Sequence, residues 1–389
     1  MLYRIILLVL LPANAAAQEC VAVVATSDLH GAIEPQRADA AAPRIGGVEG
    51  LSGYVNSLRE LNGERTVLVD GGDLFQGTLA SNLSKGRAVV DAYNLLGYDA
   101  VAIGNHEFDF GAETPGSSDL LGALKTRISE ARFPFLGINV YERRTHQRAA
   151  WAKPSVVVDR GGVKIGIIGA ATPETARVTR PQNVVSLEFR DPVPLVVAEA
   201  RRLRAQGARL VVLVMHIGGR CARTRDPYDL SSCEARSDLC TLLSHLPAGS
   251  IDVAVGGHTH QEVAHWVHGV ATVQPGARAQ KIAWVDACLR QDGGLDQSRS
   301  RIHPIIDVCL DEWRDGGCGR RKERVDLVAA TFRRKPLAPD PAVAQAMTPY
   351  LAAVREAYQR PIGVHLSEPL LRDGTPSLGE LIGEALVRA

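Results

Sequence analysis

The chain has 389 residues, long enough for one large domain and a smaller second one. Its 44 Lys+Arg against 43 Asp+Glu leave a formal charge of +1, which implies no polyanion-binding surface, so no nucleic acid polymer is expected as a partner. Hydrophobic residues make up 46% with only 5% aromatics, the composition of a globular core built from Ala, Val and Leu.

Residues 1–17 read as a signal peptide. Arg4 precedes the apolar run Ile5–Leu11, and Ala13 to Ala17 offer small residues for cleavage. That run is too short to span a bilayer, so no membrane span is expected after cleavage and the protein should be periplasmic or secreted. Ala17-Gln18-Glu19 before Cys20 does not form a lipoprotein cleavage box. Seven cysteines suit an oxidising compartment. Cys221 and Cys233 bracket a polar loop, and Cys309 and Cys318 a Gly-rich one, which makes each pair a candidate disulfide. Cys20, Cys240 and Cys288 remain, so at least one thiol is unpaired or paired elsewhere.

From residue 21 to about 290, strands alternate with helices, an α/β pattern. Expected strands are Val21–Ser27, Thr66–Asp70, Ala100–Ile103, Phe135–Val140, Pro154–Asp159, Lys164–Ala170, Leu210–Met215, Asp252–Val255, Ala271–Gln274 and Ile282–Leu289. Expected helices are Val48–Leu61, Arg87–Leu96, Leu120–Ala131 and Val193–Ala205. The insertion Gly218–Leu246, rich in Arg and Asp, is expected beside the mouth of any site built on the flanking strands, either as an ordinary surface loop or as a segment that shapes access.

Three units are expected after the leader: a domain over 18–325, a linker helix region over 326–360, and a fragment of a further domain over 361–389. The linker helix, Ala342–Tyr358, is bounded by Pro341 and by Arg360-Pro361. Ser377–Leu386 reads as an amphipathic helix with Leu378, Leu381, Ile382, Ala385 and Leu386 on one face. With nothing evident to cover that face, the tail from Pro339 to Ala389 is expected to be mobile.

Five segments place acids, amides and histidines at the ends of apolar runs, where loops of an α/β sheet converge. They are Asp28 and His30, Asp73, Asn105 with His106 and Asp109, His216, and His258 with His260. Asp28 and His30, two apart, would share one face of an extended strand. Asp73 follows two glycines that admit a close backbone approach, and its carboxylate can bridge two cations. Carboxylate and amide oxygens with imidazoles suit Zn, Mn or similar ions rather than Ca. A lone histidine or an Asp after Gly-Gly is commonly a turn or surface residue; five such segments in one chain are not.

TSDLHG, VDGGDLFQG, GNHEFDFG, VMHIGG and VGGHTH resemble the metal motifs of the calcineurin-like metallophosphoesterases. More narrowly, the chain is similar to the secreted 5′-nucleotidase/2′,3′-cyclic-nucleotide phosphodiesterase family, on Leu74–Gly77, Phe108–Gly111 and Thr172–Thr175. The likeness covers about residues 21–290 closely and 325–389 weakly. It implies a four-layer α/β/β/α sandwich, then a linker helix and the start of a truncated substrate domain. It implies two divalent ions, one on Asp28, His30, Asp73 and His260, the other on Asp73, Asn105, His216 and His258. His106 and Asp109 match the catalytic dyad, Asn105 would also touch substrate, and Arg372 matches a substrate-binding arginine. The implied activity is hydrolysis of nucleotides or related phosphoesters, small-molecule substrates, by in-line attack of a metal-bridging hydroxide. Two alternatives stay open: a thiosulfohydrolase acting on a sulfur-carrier protein, and a truncated remnant that binds metal but turns over little. Oligomeric state is not legible.

Overall fold

Alternate residues of the first strand, Cys20–Thr26, face two different cores in the computed structural model, which describes residues 19–321 and 325–361. Val21, Val23 and Ala25 pack into a core between two sheets, while Ala22 and Val24 face a layer of helices. This is the period-two alternation of a strand buried on both sides.

The first sheet runs in the order Arg301–Ile302, Lys281–Cys288, Cys20–Thr26, Thr66–Asp70, Ala100–Ala102, Phe135–Leu136. Its strands from Cys20 to Leu136 are parallel, and Lys281–Cys288 is antiparallel to Cys20–Thr26. The second sheet runs Glu262–Val267, Val270–Pro275, Val253–Val255, Leu210–Met215, Val163–Ala170, Ser155–Arg160. Ile165, Ile167, Val212, Val214, Val253 and Val255 meet the first sheet's inner face. The sheets touch at Gly169, where a Cβ would lie 2.0 Å from that of Leu136.

Helices Gly47–Asn62 and Arg87–Leu96 cover the outer face of the first sheet through Leu51, Tyr54, Leu58, Val89 and Tyr93. Pro192–Ala205 and Asp238–His245 cover the second through Val196, Leu203, Leu239 and Leu242. The layering is therefore the expected α/β/β/α. Among the described residues no helix is long and apolar enough to cross a membrane.

Three expectations change. The run Phe135–Val140 is not one strand: it breaks after Leu136. Ile138 N–H donates to Gly169 O of the other sheet at 2.7 Å, and Asn139 Nδ2 donates to Ala171 O and Arg190 O, so this stretch stitches the sheets together. The insertion Gly218–Leu246 is more than a loop. Its second half is the helix Asp238–His245, capped by Ser237, and its first half lies along the edge strand Glu262–Val267. There Trp266 N–H donates to Pro227 O at 2.8 Å and a ring nitrogen of His265 meets Arg223 O at 2.9 Å, which covers an otherwise open sheet edge.

The third change concerns the tail. The helix Pro341–Gln359 is docked rather than mobile, with Val343 and Met347 buried among the helices of the first sheet. Asp340 caps it, its own N–H donating to Ser52 Oγ at 2.8 Å, and Tyr350 donates to Asp91. The expected leader at 1–17, the amphipathic segment Ser377–Leu386 and Arg372 lie outside the described residues.

Disulfides join Cys221 to Cys233, Cys309 to Cys318, and Cys20 to Cys288, leaving Cys240 free. The last pairing, between adjacent strands, closes a sequence separation of 268 against 12 for Cys221–Cys233. Cys288→Ser is expected to lower unfolding free energy by about 2–5 kcal/mol, the larger loss, because a longer loop is released in the unfolded chain. Urea unfolding of Cys288→Ser and Cys221→Ser compares the two; equal midpoints would contradict it.

Candidate metal centre

The site lies where the C-terminal ends of both sheets' parallel strands meet. Cys20–Thr26 stops before Asp28, and the chain does not continue extended. Asp28 and His30 have φ of 52° and 50°, so the shared face expected of a strand arises instead from two left-handed residues. The cause is pairing with the neighbouring loop: Asp28 N–H donates to Gly72 O at 2.8 Å and His30 N–H to Asp73 O at 3.0 Å. Asp73, His258 and His260 are also left-handed, at 58°, 77° and 55°. Such conformations cost of order 1–3 kcal/mol each and persist only where surrounding structure imposes them.

The side chains gather in two groups that a third one links. Asp28, His30 and His260 bring donor atoms within 4.8 Å of one another, as do Asp73, His216 and His258. Asp73 also reaches the first group, 3.9 Å from His30 Nε2, in a third cluster that includes His106. In the second group four atoms converge: His216 Nε2 is 3.0 Å from Asp73 Oδ2, 3.1 Å from Asn105 Oδ1 and 3.2 Å from His258 Nδ1. His216 Nδ1 faces Gly71 O at 3.0 Å, which assigns its proton there and turns the Nε2 lone pair toward the cluster. His30 is held likewise, Nδ1 on Gln76 O at 2.7 Å and Nε2 2.8 Å from His260 Nε2.

Lone pairs crowded this way repel unless a positive charge sits among them. Asp28 is wholly buried, and its Oδ2 has no hydrogen-bond partner. Burial drives the Asp28 carboxyl upward, against the pull of His216. His216 is pushed up to about 10: burial opposes this, but the Asp73 carboxylate outweighs it. Asp73 stays well below the usual carboxylate range because the neighbouring histidines outweigh its burial, and burial takes His30 down to about 4. The donor set of carboxylates, imidazoles and an amide oxygen, with the unpartnered Asp28 Oδ2, fits a divalent transition ion.

Beside the cluster, His106 Nδ1 lies 2.5 Å from Asp109 Oδ2, and Asp109 Oδ1 accepts from Thr179 Oγ1 at 2.8 Å. Burial lowers the His106 imidazole, but the bond to Asp109 and the charge of Asp73 raise it overall. Its ring stands edge-on to His30, centroids 5.2 Å apart.

Some contributors went unassigned in the sequence reading. Glu107, inside the GNHEFDFG motif, is buried and accepts N–H bonds from Asp73 at 3.0 Å, Leu74 at 2.7 Å and Gly104 at 2.6 Å. It clamps the two loops that carry Asp73 and Asn105, and Gly104 leaves the needed room, since a Cβ there would stand 2.2 Å from Asp73 Oδ1. The segment Val178–Asn183 is the other: Val178 O accepts from Asn105 Nδ2 at 2.9 Å, and Asn183 Nδ2 donates to Phe108 O at 2.8 Å. An acid buried within a motif was a usable signal for Glu107; a polar loop some 70 residues downstream offered none.

Residues 21–262 match the family model described as calcineurin-like phosphoesterase. Among curated proteins, the chain is 33% identical over 204 residues to protein UshA of Yersinia enterocolitica, covering 52% of this chain and 34% of that protein. It is 31% identical over 207 residues to a 5′-nucleotidase of Vibrio cholerae, again 52% and 34%. The chain thus matches about a third of the length of these relatives. In fold it resembles a calcineurin-like phosphoesterase, YfkN of Bacillus subtilis, at TM-score 0.64 and 19% identity, covering 88% of this chain and 100% of that one. A 5′-nucleotidase precursor of Thermus thermophilus gives TM-score 0.62 at 23% identity, covering 88% and 60%.

Proposed function

We infer from this geometry, in a chain that belongs to the calcineurin-like phosphoesterase family, that the protein hydrolyses nucleotides or related phosphoesters at a two-ion site. The carrying observation is Asp73, buried and shared between two donor clusters, with the unpartnered Asp28 Oδ2 beside it. One ion would rest on Asp28, His30, Asp73 and His260, the other on Asp73, Asn105, His216 and His258. Zn, Mn or a similar ion would acidify a water and neutralise charge on the phosphoryl oxygens.

The chain's own groups supply the rest. Gln76 O and Gly71 O fix the tautomers of His30 and His216, so the rings need not reorient when a cation arrives. Glu107 holds the loops of Asp73 and Asn105 at fixed separation. Asp109 steadies the His106 imidazole and favours its protonated form, so that His106 can donate to a phosphoryl or leaving-group oxygen. The nucleotide assignment draws on the names of the relatives. Three disulfides among the described residues support an exported enzyme.

The test is phosphate release from AMP and from 4-nitrophenyl phosphate with Mn²⁺ or Zn²⁺ added. Both substrates should be turned over, and dialysis against a chelator should abolish activity until metal is restored. No release from either substrate with either ion would overturn the reading.

A further inference from the structure

A cleft of about 660 Å³ opens beside the His106–Asp109 pair, lined by Gln76, Asn82, Phe110, Arg180 and Gln182 among others. Its charged lining residues are His106, Asp109 and Arg180. The first two are engaged with each other, and Asp109 with Thr179 as well. Arg180 differs. Among the described residues no hydrogen bond or ion pair engages its guanidinium, and the exposed side chain lines the cleft.

The backbone that carries Arg180 is fixed on both sides. Just before it, Val178 O accepts from Asn105 and Thr179 Oγ1 donates to Asp109. Just after it, Pro181 opens a short 3-10 turn, and Asn183 N–H closes on Arg180 O at 2.9 Å while its side chain holds Phe108 O. The backbone of Arg180 is therefore held to the loop of Asn105 and the dyad, which keeps its side chain within reach of the cleft. A guanidinium carried at that position can recognise carboxylate or phosphate through directed N–H donors. Gln76, Asn82 and Gln182 add neutral amides, and Phe110 one aromatic surface.

Resting on the phosphoesterase reading above, we propose that Arg180 is a specificity-determining residue that selects phosphoesters whose leaving group carries a second negative charge. With the scissile phosphoryl group at the metal cluster and its leaving oxygen toward His106, the leaving group extends into the cleft where Arg180 stands. An anionic substituent there meets an unpaired cation; a neutral one leaves it unpaired.

The probes are 4-carboxyphenyl phosphate and its neutral near-isostere 4-carbamoylphenyl phosphate, compared by kcat/KM in the metal-loaded full chain. The charged ester should be preferred roughly tenfold, the size of one charge-assisted hydrogen bond, and the preference should shrink with added salt. Arg180→Gln should bring the ratio near one, mainly through KM, and Arg180→Lys should restore part of it. Arg278, whose charge bears on His260 but which does not line the cleft, is the control: Arg278→Gln should keep the ratio. A ratio of one in the unsubstituted protein, or a preference that survives Arg180→Gln, overturns this assignment while leaving the phosphoesterase reading intact. No hydrolysis of either ester overturns both.

Discussion

Asp73→Ala is expected to strip both ions from the protein and take hydrolysis of AMP and of aryl phosphates to background. The residue is 1% exposed, lies 3.0 Å from His216 and 3.9 Å from His30, and belongs to two groups of donor atoms, one with His30 and His106 and one with His216 and His258. Removing it takes away the charge that gathers cations on either side. His30→Ala, by contrast, touches only the first cluster and should weaken chiefly one ion. Elemental analysis of metal-supplemented protein counts them directly, and Asp73→Asn, which keeps the side chain's shape, separates loss of charge from loss of packing. A second readout is thermal: bound metal at a hundredfold excess over its Kd adds about 2.7 kcal/mol. Chelation should therefore lower the Tm of the unsubstituted protein by several degrees and leave that of Asp73→Asn nearly unmoved. Two ions retained in Asp73→Ala would defeat the shared-ligand assignment.

His106→Ala is expected to lower kcat by roughly 10²–10⁴-fold, the range for a positioned proton donor, with metal content unchanged. The distinction matters because His106 lies within ligand distance of His30 and Asp73. Its Nδ1 is committed to Asp109, which in turn is held by Thr179. Asp109→Asn should reproduce much of the loss by weakening the protonated imidazole. Loss of an ion from His106→Ala would move this residue from the chemistry to the metal.

The strands were legible because those buried on both faces read as unbroken apolar runs, as in Leu210–Met215, and each candidate ligand follows such a run. The helices over Gly47–Asn62 and Arg87–Leu96 were legible from their spacing. What escaped depends on partners far along the chain. Nothing near Asp28 or His30 forecasts a left-handed backbone, because it is imposed by pairing with the loop of Gly72 and Asp73, which the sheet brings alongside. Glu107 stood in plain view within its motif, but its three N–H donors come from two separate loops. The edge-covering role of Gly218–Leu246 required knowing that Glu262–Val267 ends the second sheet. Cys20 with Cys288 required the order of the first.

That order has a consequence in time. Cys20–Thr26 sits in the interior of its sheet, yet one of its two neighbours, Lys281–Cys288, is made some 268 residues later. At about 5–20 residues per second, synthesis leaves that flank without its partner for roughly 15–50 s. During those seconds Val21-Ala22-Val23-Val24-Ala25 is an unpaired apolar strand edge, the kind of surface that recruits other chains. Yield of soluble protein is therefore expected to depend on what shields that strand edge until Lys281–Cys288 can pair with it.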